Sequence, residues 1–139
     1  MVDLALLLAL GSIIAAVLIS GCLGDGPAPE RDQVVRTIPP AEASALIDKM
    51  GQSSEFVIID VRRPDEFAGG HIPGAINIDS ADFSERLASL DQDGTFVIYC
   101  RGGVRSAVVR EQMREAGFRE VYEIEGGMNA WKAAGLPVT

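Results

Sequence analysis

The run Cys100-Arg101-Gly102-Gly103-Val104-Arg105-Ser106 places a thiol, two glycines, two guanidinium groups and a hydroxyl in one short stretch. It follows the apolar segment Thr95–Tyr99 and precedes a stretch of helical periodicity. A strand that delivers a thiol into a Gly-containing turn at a helix start surrounds it with backbone N–H groups and the positive helix end. Both favour thiolate over thiol. A free cysteine titrates near ~8.5, and such settings lower this to roughly 3.5–7.5, which supplies a nucleophile at neutral pH. Arg105 and Arg101 add positive charge and fork-shaped donors suited to an anionic substrate. A free cysteine is more commonly a small buried core residue. A core role, however, leaves unexplained the two arginines and two glycines in the five residues after it.

Three further stretches flank this loop in order. They are Asp60-Val61-Arg62 with Glu66-Phe67; Gly70-His71-Ile72-Pro73-Gly74-Ala75-Ile76-Asn77; and Gly126-Gly127-Met128 with Trp131, followed by Gly135-Leu136-Pro137-Val138. Together with the cysteine loop they resemble the rhodanese-like sulfurtransferase family, and the resemblance runs from about Thr37 to Val138.

The resemblance implies a two-step chemistry. Cys100 thiolate takes the outer sulfur of a donor such as thiosulfate, becomes a persulfide, and passes that sulfur to a thiol or to cyanide. It implies no metal and no organic cofactor. The backbone N–H groups from Arg101 through Gly102, Gly103, Val104, Arg105 and Ser106 would hold the persulfide charge, and Arg105 would orient the loop or the substrate. The Ser106 hydroxyl either donates to the sulfur or caps the following helix, and serine's preference for helix starts favours the cap.

Four residues separate Cys100 from Arg105, one fewer than in the related cysteine-based phosphatases. A phosphoryl group must have its equatorial oxygens ringed by donors and needs the wider loop, so the short one favours sulfur. Two alternatives stay open. One is a sulfur-carrying or binding module that loads without turnover, or hands its sulfur to an acceptor protein; the other is a phosphatase or arsenate reductase using the same thiolate.

Supporting residues follow from position. His71 is the only histidine, the residue type first considered for acid–base work. It sits in a Gly-Pro turn signal, where fixing backbone is the expected role rather than acid–base work. Asp60 ends a strand-like run, at the sheet edge where parallel sheets gather functional groups. It is expected to hold the neighbouring loops through Arg62 or backbone amides. Trp131 lies in a short amphipathic stretch, with core or lid packing as its expected role.

The elements that position these residues alternate. Continuous apolar runs at Glu55–Asp60 and Thr95–Cys100 predict strands buried on both faces, with shorter strands at Ala75–Ile78 and Glu120–Ile124. Ala41–Met50 after Pro39-Pro40, Asp82–Leu90, and Val104–Ala116 before Gly117 predict helices. Strand–helix alternation predicts an α/β fold, a small doubly wound and mostly parallel sheet flanked by helices, with Cys100 at a strand's carboxyl end.

Residues 37–139 are thus expected to form one domain. Residues 23–36 are rich in Pro, Gly and charge and are expected to be a flexible linker. Within residues 1–22, Leu4 to Gly21 carries no charge. Its end, Ile19-Ser20-Gly21-Cys22, resembles a bacterial lipobox, in which Cys22 would be lipidated. That stretch departs from the usual signal in having no Lys or Arg before the apolar run. The alternative is a retained helix of about 27 Å, just short of a bilayer core. Either way the expectation is a membrane-attached domain, on the extracytoplasmic side if the signal is cleaved. The net charge of −8 and pI near 4.5 exclude nucleic acid as an expected partner, since phosphate binding needs a basic face.

Overall fold

A computed structural model describes residues 32–139. The elements run β1 (Val34–Ile38), α1 (Pro40–Met50), β2 (Phe56–Asp60), α2 (Pro64–Ala68), β3 (Ile76–Asn77), α3 (Phe83–Arg86), β4 (Thr95–Tyr99), α4 (Val104–Glu115), β5 (Glu120–Ile124) and α5 (Gly127–Ala133). The strands form one sheet in the order β1-β5-β4-β2-β3, and every pairing is parallel. β4 lies at its centre and all five of its residues are buried, as a run of aromatic and β-branched residues covered on both faces requires.

Alternation along the strands divides the core into two layers. On one face Val35, Ile59, Phe96, Ile98 and Val121 pack against Phe83 of α3, Val109 and Met113 of α4, and Phe118. On the other, Ile38, Ile58, Val97, Tyr99, Tyr122 and Ile124 pack against Ala43 of α1 and Met128 and Trp131 of α5. The sheet is therefore covered on both sides, which is the α/β architecture expected from strand–helix alternation.

Three elements depart from the sequence reading. The linker expected through residue 36 ends earlier, because Val34, Val35 and Arg36 already pair with Glu120, Val121 and Tyr122. The exposed Val34, Arg36 and Thr37 mask this edge strand's pattern. The helix expected over 82–90 is one α turn followed by a 3-10 turn at Leu87–Ser89. Its end is tightened by the Leu90 N–H bonded to the Leu87 carbonyl at 3.2 Å and by the Ser89 hydroxyl donating to the Arg86 carbonyl at 2.6 Å. α2 had no expectation; Pro64 starts it, and the Glu66 carboxylate accepts the Arg63 N–H at 3.2 Å. Gly117 ends α4 as expected, with φ +82° and its N–H bonded to the Arg114 carbonyl.

Candidate active site

Cys100 is the first residue beyond β4, only 1% exposed. The chain turns over it through Gly103, whose φ of +103° suits glycine alone. The turn brings the Gly103 N–H to 3.0 Å from Cys100 Sγ and the Ser106 hydroxyl to 3.3 Å. On the outside of the loop, the Cys100 and Arg101 carbonyls accept the Met128 and Asn129 N–H groups at 2.8 and 3.0 Å. These are free N–H groups in the first turn of α5, so the loop carbonyls serve as that helix's cap. A trans peptide plane directs its N–H opposite its carbonyl, so carbonyls drawn outward to α5 turn the loop amides inward. Gly127 makes the close approach possible. It has φ +57°, and a Cβ there would collide with the Cys100 carbonyl oxygen and lie 2.9 Å from the Arg101 carbonyl.

The electrostatics follow from this geometry. Burial is the largest single influence on the Cys100 thiol and pushes its pKa up. Donation by the Ser106 hydroxyl, and then by the amides of Ser106, Gly103 and Gly102, outweighs burial and holds the thiol below its ordinary value. Ser106 does not cap α4, contrary to the sequence reading. The N-cap position is Gly103, and the Ser106 hydroxyl faces Cys100 and Glu123 instead.

Arg105 points to a carboxylate rather than to open space. Its two terminal nitrogens donate to Glu66 at 2.8 and 3.1 Å, a bidentate pair that ties α4 to α2. Both terminal nitrogens of Arg105 are thus engaged within the fold. The same bond holds Glu66 down at about 2 from an ordinary 4.5. A carboxylate depressed on folding contributes stability that is present above its unfolded value and lost as pH falls through the folded one. Melting profiles should accordingly show the protein losing on the order of 1–2 kcal/mol relative to Glu66→Gln between about pH 5 and pH 2, a figure reduced for the exposure of Arg105. Equal pH slopes for the two proteins in that window would contradict the pairing.

Arg101 is exposed and its side chain makes no bond among the described residues. With Arg63, Glu66, Asp79, Ser80, Ala81 and Arg105 it lines an open depression of about 490 Å³ beside the loop. Val104 stands at the loop's end with 81% of its surface exposed.

The residues expected to support the loop make the following contacts. Asp60 is fully buried and takes the Arg62 guanidinium at 2.7–3.1 Å and the Arg62 N–H at 2.9 Å. Arg62 continues to the Gly70 carbonyl at 2.6 Å, so the pair fixes the loop that carries His71. The His71 ring stacks on Phe67 and its Nδ1 lies 3.0 Å from the Phe67 carbonyl. Its backbone exchanges two hydrogen bonds with Thr139. Trp131 is buried and its ring N–H donates to the Pro137 carbonyl at 2.8 Å. Sequence reasoning missed Glu66 and Glu123 as parts of the site. Glu66 stood inside a quoted motif without a role, and Glu123 showed only as an acid within the strand Glu120–Ile124. Cys22 and the expected signal lie outside the described residues. Among the described residues no helix is long and apolar enough to cross a membrane, and no three His, Cys, Asp or Glu side chains gather as for a metal.

A parallel sheet whose central strand ends in a buried, amide-cradled cysteine at a helix start defines an α/β protein that presents a thiol at a strand's carboxyl end. Residues 40–134 match the rhodanese-like domain, and the chain belongs to that family. It is 45% identical over 89 residues to the HTH-type transcriptional regulator Rv0324 of Mycobacterium tuberculosis, a match covering 63% of this chain but 39% of that protein. It is 32% identical over 97 residues to the thiosulfate sulfurtransferase GlpE of Stutzerimonas stutzeri, covering 70% of this chain and 84% of that one. Among solved structures, a rhodanese-related protein from Thermoplasma volcanium superimposes with a TM-score of 0.66 at 30% identity, over 75% of this chain and 97% of that one.

Proposed function

We propose that this protein is a sulfurtransferase that works through a Cys100 persulfide. In the first half-reaction the Cys100 thiolate attacks the outer sulfur of thiosulfate; the new S–S bond forms as the old one breaks, and sulfite leaves with its electron pair. In the second, cyanide or a thiolate attacks the outer sulfur of the persulfide, and Cys100 leaves as thiolate. The observation that carries this reading is the cradle itself: the sulfur lies 3.0 Å from the Gly103 N–H, with the Gly102 and Ser106 amides also directed at it. Such donors stabilise a small anion at the sulfur in both states, thiolate and persulfide. Similarity to a thiosulfate sulfurtransferase supports the same reading. The proposed partners are thus a small sulfur-containing anion and a thiol or cyanide, with a sulfur-accepting protein as a further recipient.

Intact mass spectrometry after thiosulfate, and again after cyanide, tests this. The expected result is gain of one sulfur atom on the protein, its removal by cyanide with thiocyanate formed, and neither event in Cys100→Ser. Loading without release would make the protein a carrier. No loading, together with hydrolysis of an aryl phosphate or reduction of arsenate, would transfer the same thiolate to oxyanion chemistry.

We also propose that the chain is membrane-attached through its N-terminus, with Cys22 the lipidated residue and the domain extracytoplasmic. The uncharged run Leu4–Gly21 ending at Cys22 supports this. Cys22→Ala is expected to release the protein from the membrane fraction or to leave its signal uncleaved. An unaltered mass and distribution would remove the lipid anchor.

A further inference from the structure

Glu123 stands in β5 on the face that α4 covers, and it is 3% exposed. A carboxylate so buried has to be fully bonded, and this one is. Its Oε1 accepts the Ser106 hydroxyl at 2.7 Å, and its Oε2 accepts Arg110 Nη1 at 2.6 Å and the Thr37 hydroxyl at 3.2 Å. The same Ser106 oxygen lies 3.3 Å from Cys100 Sγ. A serine hydroxyl has one proton, so the carboxylate and the sulfur cannot both receive it.

The geometry orders the two claims. With Cys100 as a neutral thiol, the short charge-assisted bond to Glu123 takes the Ser106 proton, and the thiol can donate to the free side of the Ser106 oxygen. With the sulfur anionic, as thiolate or persulfide, a second charged acceptor competes for the same proton. We infer that Glu123 is a positioning residue acting through Ser106: it holds the Ser106 proton while Cys100 is a thiol and yields it to the sulfur once that sulfur is anionic. The strength of this hold sets how readily Cys100 ionises. No covalent bond changes at Ser106; an O–H···O bond is exchanged for O–H···S, and the thiol proton leaves to water. Arg110 and Thr37 keep Glu123 partnered when Ser106 turns away, so the exchange strands no buried charge.

The charged surroundings are few. Cys100 is faced by Arg105 of α4, which is itself paired to Glu66 of α2 and influenced by Asp79. Glu123 is faced by Arg110 of α4, which also contacts Glu111, and by the Thr37 hydroxyl of β1; its register partner on β4 is the apolar Ile98. Glu123 is thus the one carboxylate among the described residues that shares a hydrogen-bond donor with the nucleophile.

The inference rests on Cys100 being the reacting group of the proposed function but not on any sulfur donor. Alkylation of Cys100 by iodoacetamide, followed by peptide mass spectrometry on the full chain to separate it from Cys22, reads the thiolate directly. A wrong donor assignment would leave this readout intact. The rate of alkylation across about pH 5 to 10 gives a midpoint. Glu123→Gln is expected to lower that midpoint by about half a pH unit, and Ser106→Ala to raise it. In the Ser106→Ala background, the effect of Glu123→Gln is expected to fall by more than half. An unchanged midpoint in Glu123→Gln, or an equal shift with and without the Ser106 hydroxyl, would overturn the inference. Should Glu123→Gln fail to fold, Arg110→Gln serves instead. Losing that partner strengthens Glu123's hold on Ser106 and should raise the midpoint, again only in part without Ser106. A midpoint that stays or falls would be equally decisive against it.

Discussion

Replacing Asp60 by alanine is expected to destabilise the domain by about 3–5 kcal/mol, a large share of the 5–15 kcal/mol typical of such folds. The reason is the charge left behind. Asp60 is 0% exposed and the Arg62 side chain 7%, so the guanidinium has no route to water once its carboxylate is gone. One acceptor for it, the Gly70 carbonyl, would remain, together with the face of Tyr99 at 5.8 Å. Neither neutralises a full charge. Chemical denaturation should show the loss as a lower midpoint, and the double variant Asp60→Ala with Arg62→Met should regain much of it by removing the stranded charge. An alanine variant as stable as the parent would mean that the pair contributes nothing net. The same substitution loosens the loop carrying His71, whose position depends on the Arg62 bond to Gly70.

Gly127→Ala is expected to separate activity from stability. The backbone there is left-handed, which for alanine costs about 1–2 kcal/mol. The larger effect falls on the cysteine loop, because the new methyl group would occupy the space of the Cys100 carbonyl oxygen and crowd that of Arg101. Relief requires the loop to move away from α5, which rotates its amides off the sulfur. Displacement of a reacting group by about 1 Å can lower a rate by about 10²-fold. Sulfur loading and Cys100 alkylation should therefore fall by that order while the melting temperature drops modestly. A variant that melts lower but reacts at the parent's rate would show that α5 does not set the loop.

The parts of the fold that were legible in the sequence are those whose signal is local. β2 and β4 stood out because burial on both faces makes their apolar runs continuous, and the cysteine loop because glycines and arginines crowd around one thiol. β1 was hidden because three of its five residues, Val34, Arg36 and Thr37, are exposed, and α2 by having five residues and no periodicity. The two carboxylates of the site were unreadable for a different reason. Glu66 meets Arg105 across 39 positions of sequence, and Glu123 meets Ser106 across 17, because the fold sets α2 and β5 against α4. Ser106 was assigned a cap by its residue type, yet in the fold it stands three positions past the N-cap Gly103, turned toward the sulfur.

The parallel sheet gives the domain two poles. The chain enters at the amino end of β1, and Cys100 stands past the carboxyl end of β4, with β5 joining them in a common direction. Five strand residues at ~3.3 Å each put roughly 16 Å of sheet between entry and sulfur. The described chain therefore enters the domain at the pole opposite the reactive mouth.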